Sequence, residues 1–375
     1  MERSVVVNAT SIAGRADGIG AYGVHLLKAL ARVDGDIRFR VYLNSRARAR
    51  FEGVAFPERM RIEWVSGSMS PDHGSRGHLR RWLHANALAL RHPGSLLFAT
   101  SQIEAPLWGR PGIVTVHDVI PLLCPRDHPR QYHYYRRCLG PALRRAAAVI
   151  TPSETTKRLL TSIYGLRHDK IHVIAHGPTV PPRNGEPVVC RSRPYVLCLA
   201  HAGPTKNLGA LVRAFALVQA HIGEDLVIAG TDLDGAALGS LLRRLAVPAS
   251  RVQVRPNVSD GEKLALLDGA SLFVYPSLDE GFGLPPLEAM ARGCPVVAAS
   301  AGSLPEVCAD APVYVDPRDV SGIARALQGV LGDPERRQRL VQRGLAHART
   351  FSWESSVRRH LELFQLVLGR GRLAV

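Results

Sequence analysis

The sequence contains few cysteines, and none of them forms a Cys-x-x-Cys pair. The six cysteines, at positions 124, 138, 190, 198, 294 and 308, are scattered along the chain. This distribution disfavours a disulfide framework and a zinc site, and it favours a reducing compartment.

Long apolar runs are also absent. No stretch of about 18 or more uncharged apolar residues occurs, so the sequence predicts no transmembrane helix. The opening MERSVVVNATS has too short an apolar run for a secretory signal and is typical of a first buried strand. We therefore expect a cytoplasmic protein.

Aromatic and acidic residues are sparse. Aromatics make up 6% of the chain, too few for base-stacking surfaces, and no nucleic-acid-binding signature occurs, so no nucleic-acid partner is expected. The net charge is +16, and residues 1–150 hold 22 Lys and Arg against 11 Asp and Glu. This surplus indicates an anionic partner, such as a phospholipid surface or a lipid pyrophosphate. Alternatively, it reflects a GC-rich genome, which favours arginine on solvated faces of the protein. Its arginines cluster at 38–50, 76–91 and 126–145.

The length of 375 residues predicts two domains. Strand-length apolar runs alternate with helical patterns, which is typical of an α/β fold with a mainly parallel sheet. The alternation stops at a stretch rich in Pro, Gly and Arg, residues 178–194, and then resumes. We predict two doubly wound domains, 1–180 and 194–350, a linker at 181–193, and a closing helix within 351–375 that packs back on the first domain.

The predicted strands fix where a ligand is expected. In open α/β sheets, ligands bind at the carboxyl ends of the strands, so the cleft between the two domains is the expected site. The strands are predicted at 4–9, 37–43, 95–100, 112–118, 147–153, 195–200, 225–230, 252–256, 271–277, 295–300 and 312–316.

Two glutamates mark the segment SLDEGFGLPPLEAMARGCPVVAAS, residues 277–300. Glu280 lies in the loop after a predicted strand, and Glu288 lies about a turn into the next helix. The helix start separates them, so they cannot share one small metal ion. Their spacing suits two sets of hydroxyls on one extended ligand, such as a sugar. Alternatively, Glu288 only stabilises the first turn of its helix.

The glycines of this segment argue for a ligand site. Gly281 and Gly283 permit close approach of the backbone to a ligand. The amides of Phe282, Gly283 and Leu284 lie at a helix N-terminus, which attracts anions and polar oxygens. A capped helix alone would not require these glycines.

The segment E-G-F-G-L-P-P-L-E-A-M-A-x-G-x-P-V-V-A resembles the E-x7-E signature of retaining glycosyltransferases of family four, a group 1 type with the GT-B fold. Other segments resemble that family in the expected order, so the resemblance covers nearly the whole chain. It implies two Rossmann-like doubly wound domains that face a cleft. The further segments are 114–122, 195–218, 304–319 and 351–364.

The resemblance assigns roles on the donor side. It implies that Glu288 binds the nucleotide ribose, that Glu280 contacts the transferred hexose, and that the amides of 282–284 bind hexose hydroxyls. Lys206, just past a predicted strand, is expected to neutralise the donor diphosphate as the sugar leaves. The family usually has an arginine beside this lysine, at the position of Thr205 in this sequence. His201 is a candidate to replace that arginine as a cation near the diphosphate. Backbone atoms near Val258 are expected to recognise the base.

The segment GIGAYG matches G-x-G-x-x-G at Gly18, Gly20 and Gly23. We reject a dinucleotide-binding interpretation, because the preceding loop is too long and the second strand ends in Asn44 where an acid is needed. In the resembled family such a loop lies near the diphosphate and the acceptor. The resemblance implies that Gly18, Ile19 and Gly20 form this loop here. Ala21 replaces an arginine of the family there, and Tyr22 is expected on the acceptor side.

His117 and Asp118 end another predicted strand, and a His–Asp pair suggests a general base. The resemblance implies instead that His117 holds the hexose near its 6-hydroxyl, and that Asp118 orients His117 or meets the acceptor. In a retaining transferase the donor phosphate oxygen is thought to take the acceptor proton. Asp-Leu-Asp at 232–234 resembles a metal-binding motif of another glycosyltransferase fold, but we interpret it as a turn. No metal or other cofactor is expected.

The sequence thus predicts a cytoplasmic retaining hexosyltransferase of surface polysaccharide biosynthesis. The donor is GDP-mannose or a UDP- or dTDP-hexose, with mannose favoured, and the acceptor is a saccharide or a lipid-linked saccharide. The basic first domain would allow peripheral contact with the inner face of the cytoplasmic membrane. Two alternatives stay open: a phosphorylase or epimerase on the same fold, and an idle relative that binds sugar or an anionic surface.

Overall fold

The computed structural model describes residues 3–14, 18–183, 193–201, 203–233 and 235–370. The chain divides into unit 1, Met1–Gly177 with Ser352–Val375, and unit 2, Pro178–Phe351. Most of the linker predicted at 181–193, together with Cys190, lies outside the described residues. Among the cysteines that the structure describes, all five are free thiols.

Unit 1 is built on a parallel sheet in the order β3-β2-β1-β4-β5-β6-β7. Five strands match predicted ones, whereas β3 and β7 were not predicted. These two are the edge strands, which bury fewer side chains and therefore lack a continuous apolar run. The strands are β1 Ser4–Asn8, β2 Arg38–Asn44, β3 Met60–Val65, β4 Leu96–Ala99, β5 Ile113–Thr115, β6 Ala148–Thr151 and β7 Ile171–Val173.

Unit 2 contains a second parallel sheet, in the order β10-β9-β8-β11-β12-β13. All six described strands coincide with predicted ones. This confirms the prediction of two Rossmann-like doubly wound domains. The strands are β8 Tyr195–Leu199, β9 Asp225–Gly230, β10 Val252–Pro256, β11 Leu272–Tyr275, β12 Val296–Ala299 and β13 Val313–Val315.

Helices connect the parallel strands, as crossover connections of this kind require. None of the described helices is both long and apolar enough to cross a bilayer. The helices are α1 Gly18–Arg32, α2 Gly74–Arg91, α3 Ile120–Leu123, α4 Pro129–Tyr134, α5 Gly140–Arg145, α6 Glu154–Tyr164, α7 Leu208–Val218, α8 Gly235–Arg244, α9 Asp260–Gly269, α10 Leu284–Ala291, α11 Leu304–Cys308, α12 Val320–Leu331, α13 Pro334–Ala348 and α14 Trp353–Arg370.

The last helix, α14, completes the core of unit 1. Its Phe364 is 1% exposed and packs against Phe98 and Phe39, with ring centroids 5.0 and 6.3 Å apart. Val357 and Leu363 belong to the same core cluster as the first strands. This confirms that the closing helix packs back on the first domain.

The strand order reverses at one place in each sheet, between β1 and β4 in unit 1 and between β8 and β11 in unit 2. At such a switch point the loops on either side diverge and leave a crevice at the carboxyl ends of the strands. Buried polar side chains lie at or after the carboxyl ends of the strands beside both reversals, among them Asn8 and Thr100 in unit 1 and Lys206 and Glu288 in unit 2.

Candidate active site

The loop that follows β8 is fastened to the loop that follows β11. Asn207 adopts the left-handed region with a φ of 55°. Its side-chain amide donates to the carbonyls of Pro276 and Pro317 at 3.1 and 2.7 Å. The backbone amide of Leu278 donates to the carbonyl of Thr205 at 2.7 Å. These bonds hold Lys206, which lies between Thr205 and Asn207, against the loop between β11 and α10. This loop carries Glu280 and is called the glutamate loop below.

Glu280 and Lys206 form a buried ion pair at the switch point of unit 2. Lys206 Nζ donates to Glu280 Oε1 at 2.5 Å, and the two side chains are only 10% and 11% exposed. The Tyr275 hydroxyl donates to the same oxygen at 2.8 Å, and the Ser277 hydroxyl lies 2.7 Å from it. Within the described residues these contacts all fall on Oε1, so Oε2 is the oxygen that can accept from a ligand.

Glu280 stays ionised despite its burial. Burial alone would raise the pKa of Glu280, but the charge and hydrogen bond of Lys206 and the hydroxyls of Ser277 and Tyr275 outweigh it and lower the pKa. Lys206 also donates to the Tyr275 hydroxyl at 3.1 Å. An ammonium has three donors, so among the described contacts one N–H of Lys206 remains for a ligand.

The turn before α10 requires glycine. Gly283 has a φ of 100°, and a Cβ there would lie 2.5 Å from Leu304 Cδ2. Behind the loop, a Cβ on Gly302 would lie 2.6 Å from the amide nitrogen of Glu280. The Ser303 hydroxyl donates to the Glu280 carbonyl at 2.9 Å. The backbone around Glu280 is therefore fixed before any ligand binds.

Glu288 lies in a second cluster, on α10. It is 4% exposed, and its Oε1 accepts from Lys263 Nζ at 3.1 Å and from the Thr179 hydroxyl. Lys263 also donates to Thr179 at 3.0 Å. No hydrogen bond among the described residues joins Glu288 to Glu280. The two carboxylates occupy separate clusters and can serve separate hydroxyl groups.

The other predicted donor-side residues lie in loops at the same edge of the unit 2 sheet. Phe282 is buried against Phe351, with ring centroids 6.0 Å apart. Leu284 is the first residue of α10. His201 is exposed in the loop after β8, and Val258 is half-buried just after β10.

His117 follows β5 in unit 1 and is 8% exposed. Its Nε2 donates to the Thr100 carbonyl at 2.9 Å, because a carbonyl can only accept. Burial lowers the pKa of His117 to about 4, although the Thr100 bond opposes this shift. The ring is therefore neutral near pH 7, and its Nδ1 is an acceptor rather than a proton-carrying group.

The burial of Tyr22 does not support the prediction that this residue lies on the acceptor side. Its ring is 0% exposed and packs edge-on against His117 at 4.7 Å. Its hydroxyl donates to His360 Nε2 at 2.9 Å, since His360 Nδ1 donates to the carbonyl of Ser356. A ring buried in this way cannot contact an acceptor directly, and Tyr22 instead supports the position of His117.

The remaining unit 1 predictions concern the loop after β1. Gly18, Ile19 and Gly20 form the first turn of α1 rather than a loop. The Asn44 amide donates to the carbonyls of Thr10 and Ile12 at 2.9 and 2.7 Å. Asn44 thus holds a loop instead of a ribose.

Two acidic sequence features prove to be local turns. Asp118 Oδ1 accepts from the Ile120 amide at 3.0 Å, at the start of α3. Asp232 has a φ of 55°, which is a turn conformation, and Asp234 lies outside the described residues. Among the residues that the structure describes, no group of three or more potential metal ligands occurs.

Several site residues could not be selected from the sequence. Tyr275 and Ser277 flank Pro276 at the end of a predicted strand, and that position was the only available signal. Lys263 and Thr179 lie 25 and 109 positions from Glu288. Only the folded chain shows that they surround that carboxylate.

Comparison with known proteins places this geometry in a family. The family model described as "Glycosyl transferases group 1" matches residues 189–347, and the model described as "Glycosyltransferase Family 4" matches residues 16–180. The chain is 28% identical to O-antigen chain mannosyltransferase B of Escherichia coli, covering 93% of this chain and 96% of that protein. It is 26% identical to O-antigen chain mannosyltransferase RfbU of Salmonella typhimurium, covering 87% of this chain and 90% of that protein.

A solved structure has the same fold at low sequence identity. HepE of Anabaena, crystallised with UDP and glucose, is similar with a TM-score of 0.73 at 18% identity. The similarity covers 97% of this chain and 99% of that one. The fold of the chain is therefore GT-B.

Replacement of Gly283 by alanine should destabilise the glutamate loop. The new Cβ would clash with Leu304 in a backbone region that side chains avoid, so we expect the free energy of unfolding to fall by about 1–3 kcal/mol. Gly261→Ala, in α9 with open space around the site, is the matched control and should leave stability unchanged or raise it by up to about 1 kcal/mol. Denaturant unfolding of both variants measures the difference, and equal stabilities would contradict the strain at Gly283.

Proposed function

Because the chain belongs to the group 1 and family 4 glycosyltransferases, we propose that it transfers a mannosyl residue from a nucleotide-sugar donor during surface polysaccharide synthesis. The relatives that match along nearly their whole length carry the name O-antigen chain mannosyltransferase. The acceptor would be a saccharide or a lipid-linked saccharide. The observation that carries this proposal is the pair of carboxylate clusters at the carboxyl ends of the unit 2 strands.

We propose that unit 2 holds the donor through these two clusters. Glu280 Oε2 would accept from hexose hydroxyls, and the amides of 282–284 would donate to hexose oxygens. Glu288 would accept from the ribose hydroxyls, with Lys263 and Thr179 holding its other oxygen in place. Base recognition near Val258 stays a prediction, and so does the choice between GDP, UDP and dTDP.

The proposed reaction breaks the bond between the sugar C1 and a phosphate oxygen. Negative charge then grows on the diphosphate, and the free N–H of Lys206 would stabilise it. An acceptor oxygen forms the new bond to C1, and its proton passes to the departing phosphate oxygen on the same face. That sequence retains the anomeric configuration and needs no general base, which fits the lowered pKa of His117, because a low pKa makes the ring a weak base. His117 would accept from a hexose hydroxyl.

Only one fixed cation is available to the diphosphate at this loop. Thr205, where the family usually has arginine, is 4% exposed, and its carbonyl accepts from the Leu278 amide. It contributes no charge. His201 is exposed in the same loop, and we propose it as the second cation when it is protonated.

Replacement of Glu288 by alanine should abolish donor binding. Because the carboxylate is the proposed ribose ligand, wild type should gain about 2.7 kcal/mol of stability at a hundredfold excess of donor over Kd, and the variant almost none. Thermal unfolding with GDP-mannose, UDP-glucose and dTDP-glucose measures these shifts and ranks the donors. Glu335→Ala, on an exposed side chain, is the control. A full shift in Glu288→Ala would contradict the ribose assignment, and no shift with any donor would remove the nucleotide-sugar proposal.

The product should keep the anomeric configuration of the donor. An α-linked mannosyl donor should give an α-mannoside, because the acceptor enters on the face from which the diphosphate leaves. NMR of the product formed on a mannosyl oligosaccharide measures this directly, and Lys206→Met should slow its formation. A β-mannoside would contradict retention. Release of mannose 1-phosphate with added phosphate would favour the phosphorylase alternative, and an epimerised nucleotide sugar would favour the epimerase.

We further propose that unit 1 touches an anionic membrane surface through α2. Leu79, Leu83 and Leu90 lie on its outward face and are 55%, 50% and 61% exposed. Exposed arginines, Arg76, Arg80 and Arg91, flank these leucines. Apolar side chains between cations suit the boundary between lipid headgroups and acyl chains.

Replacement of Leu79 and Leu83 by serine should weaken vesicle binding. Wild type should sediment with vesicles that contain phosphatidylglycerol and remain unbound to phosphatidylcholine alone, and added salt should reduce the bound fraction. Leu217→Ser, at an equally exposed leucine of unit 2 (56%), is the control. Binding that is indifferent to lipid charge, or equal for all variants, would contradict this surface.

A further inference from the structure

A carboxyl group is buried at the switch point of unit 1, outside the reaction proposed above. Glu104 ends a short turn after β4 and is 0% exposed. Its Oε1 lies 2.9 Å from the Thr10 hydroxyl in the loop after β1. Its Oε2 lies 3.4 Å from the Thr100 hydroxyl. Glu104 therefore bridges the two loops that diverge at the reversal of the strand order.

The hydrogen bonds of Thr10 indicate the protonation state of Glu104. The Thr10 hydroxyl lies 2.9 Å from both Asn8 Oδ1 and Glu104 Oε1. The Thr10 amide donates to Asn8 Oδ1 at 3.3 Å, which identifies that atom as an acceptor. One hydroxyl proton cannot serve two acceptors. Both contacts become hydrogen bonds when protonated Glu104 donates to Thr10 and Thr10 donates to Asn8.

The surroundings of Glu104 place its titration near neutrality. Burial raises its pKa, whereas the charge of Arg81 on α2 and the hydrogen bonds that Thr10 and Ser11 can donate to the ionised carboxylate lower it, so that the pKa is about 7. Tyr134 on α4 also faces the carboxyl, and burial keeps this phenol neutral by raising its pKa. His117 is bonded to the carbonyl of Thr100, the residue whose hydroxyl contacts Glu104.

We propose that Glu104 is a positioning residue of unit 1, which in its protonated form ties the loop after β1 to the end of β4. That end of β4 carries the Thr100 carbonyl that orients His117. Loss of the Glu104 proton leaves the single Thr10 hydroxyl proton to serve either Asn8 or Glu104, so one of the two bonds that hold this loop is lost. The role in transfer rests on the proposed function, whereas the protonation itself does not.

Thermal unfolding over pH tests the buried proton without any assay of transfer. The pKa of Glu104 is about 7 in the folded chain against an ordinary 4.5, so the folded state holds a proton that the unfolded state releases. Between these values the contribution of Glu104 to stability falls as pH rises, and above about 7 it is constant. Glu104→Gln keeps a donor to Thr10 and removes the titration. Its Tm relative to wild type should rise from about pH 5 to about pH 7 and then level off.

The control for this experiment is Glu52→Gln, which changes an exposed glutamate of the same unit. Its Tm difference from wild type should not vary with pH in that range. A pH-independent difference for Glu104→Gln as well would overturn the proposal, because Glu104 would then be ionised throughout.

The transfer assay tests the positioning role. If only the protonated form holds the loop, kcat/KM for the acceptor should fall about tenfold between pH 6 and pH 8 in wild type, as the ionised fraction grows. Glu104→Gln should match wild type near pH 6 and lose this decline, with KM for the donor unchanged. An unaltered pH profile in Glu104→Gln would overturn the positioning role.

The two experiments separate the failure of this inference from that of the proposed function. If no transfer is detected with any donor, the proposed function fails, while the Tm profile still decides whether Glu104 carries the proton. If transfer occurs and the Tm profile of Glu104→Gln is flat, only the inference about Glu104 fails.

Discussion

The buried contact between Lys206 and Glu280 is the interaction on which the candidate site depends. Removal of two charges from water is costly and is offset only when the geometry is good and further hydrogen bonds are made. Here Tyr275 and Ser277 supply those bonds. The pair exists because β8 and β11, which are distant in sequence, are neighbours in the sheet. The parallel order of unit 2 is therefore a precondition for its chemistry.

The two units treat titratable groups differently at their switch points. In unit 2, Glu280 stays ionised because its pKa is lowered. In unit 1, burial lowers the pKa of His117 and of His360 to about 4 and raises the pKa of Tyr22, so these three groups are neutral. This division fits a donor that carries a diphosphate charge and an acceptor that offers hydroxyls.

The sequence predicted the central part of the fold better than its edges. Most described strands of unit 2 stood out as apolar runs, whereas β3 has Arg61 and Glu63 exposed or half-buried and showed no such run. Glu280, Glu288 and Lys206 could be selected because glycines and helix starts surround them. Which residues hold them could not be predicted, because those partners depend on which strands become neighbours.

Glu104 shows more clearly what cannot be predicted from the local sequence. Nothing in Ser-Gln-Ile-Glu marks a glutamate that will lie away from water, since its burial arises only when β1 and β4 pair. Its partner Thr10 is 94 positions away. Local pattern predicts elements and their ends, and the protonation of a side chain follows from contacts that the local pattern does not encode.

The place of α14 in unit 1 has a consequence for biosynthesis. On the ribosome, unit 2 is fully emerged before Trp353, His360 and Phe364 are available to the core of unit 1. The earlier-made unit must therefore wait for the later one, with the apolar face that α14 will cover still exposed. A chain that ends shortly after residue 351 would still contain all of unit 2, whereas unit 1, which is translated first, would lack the helix that completes its core.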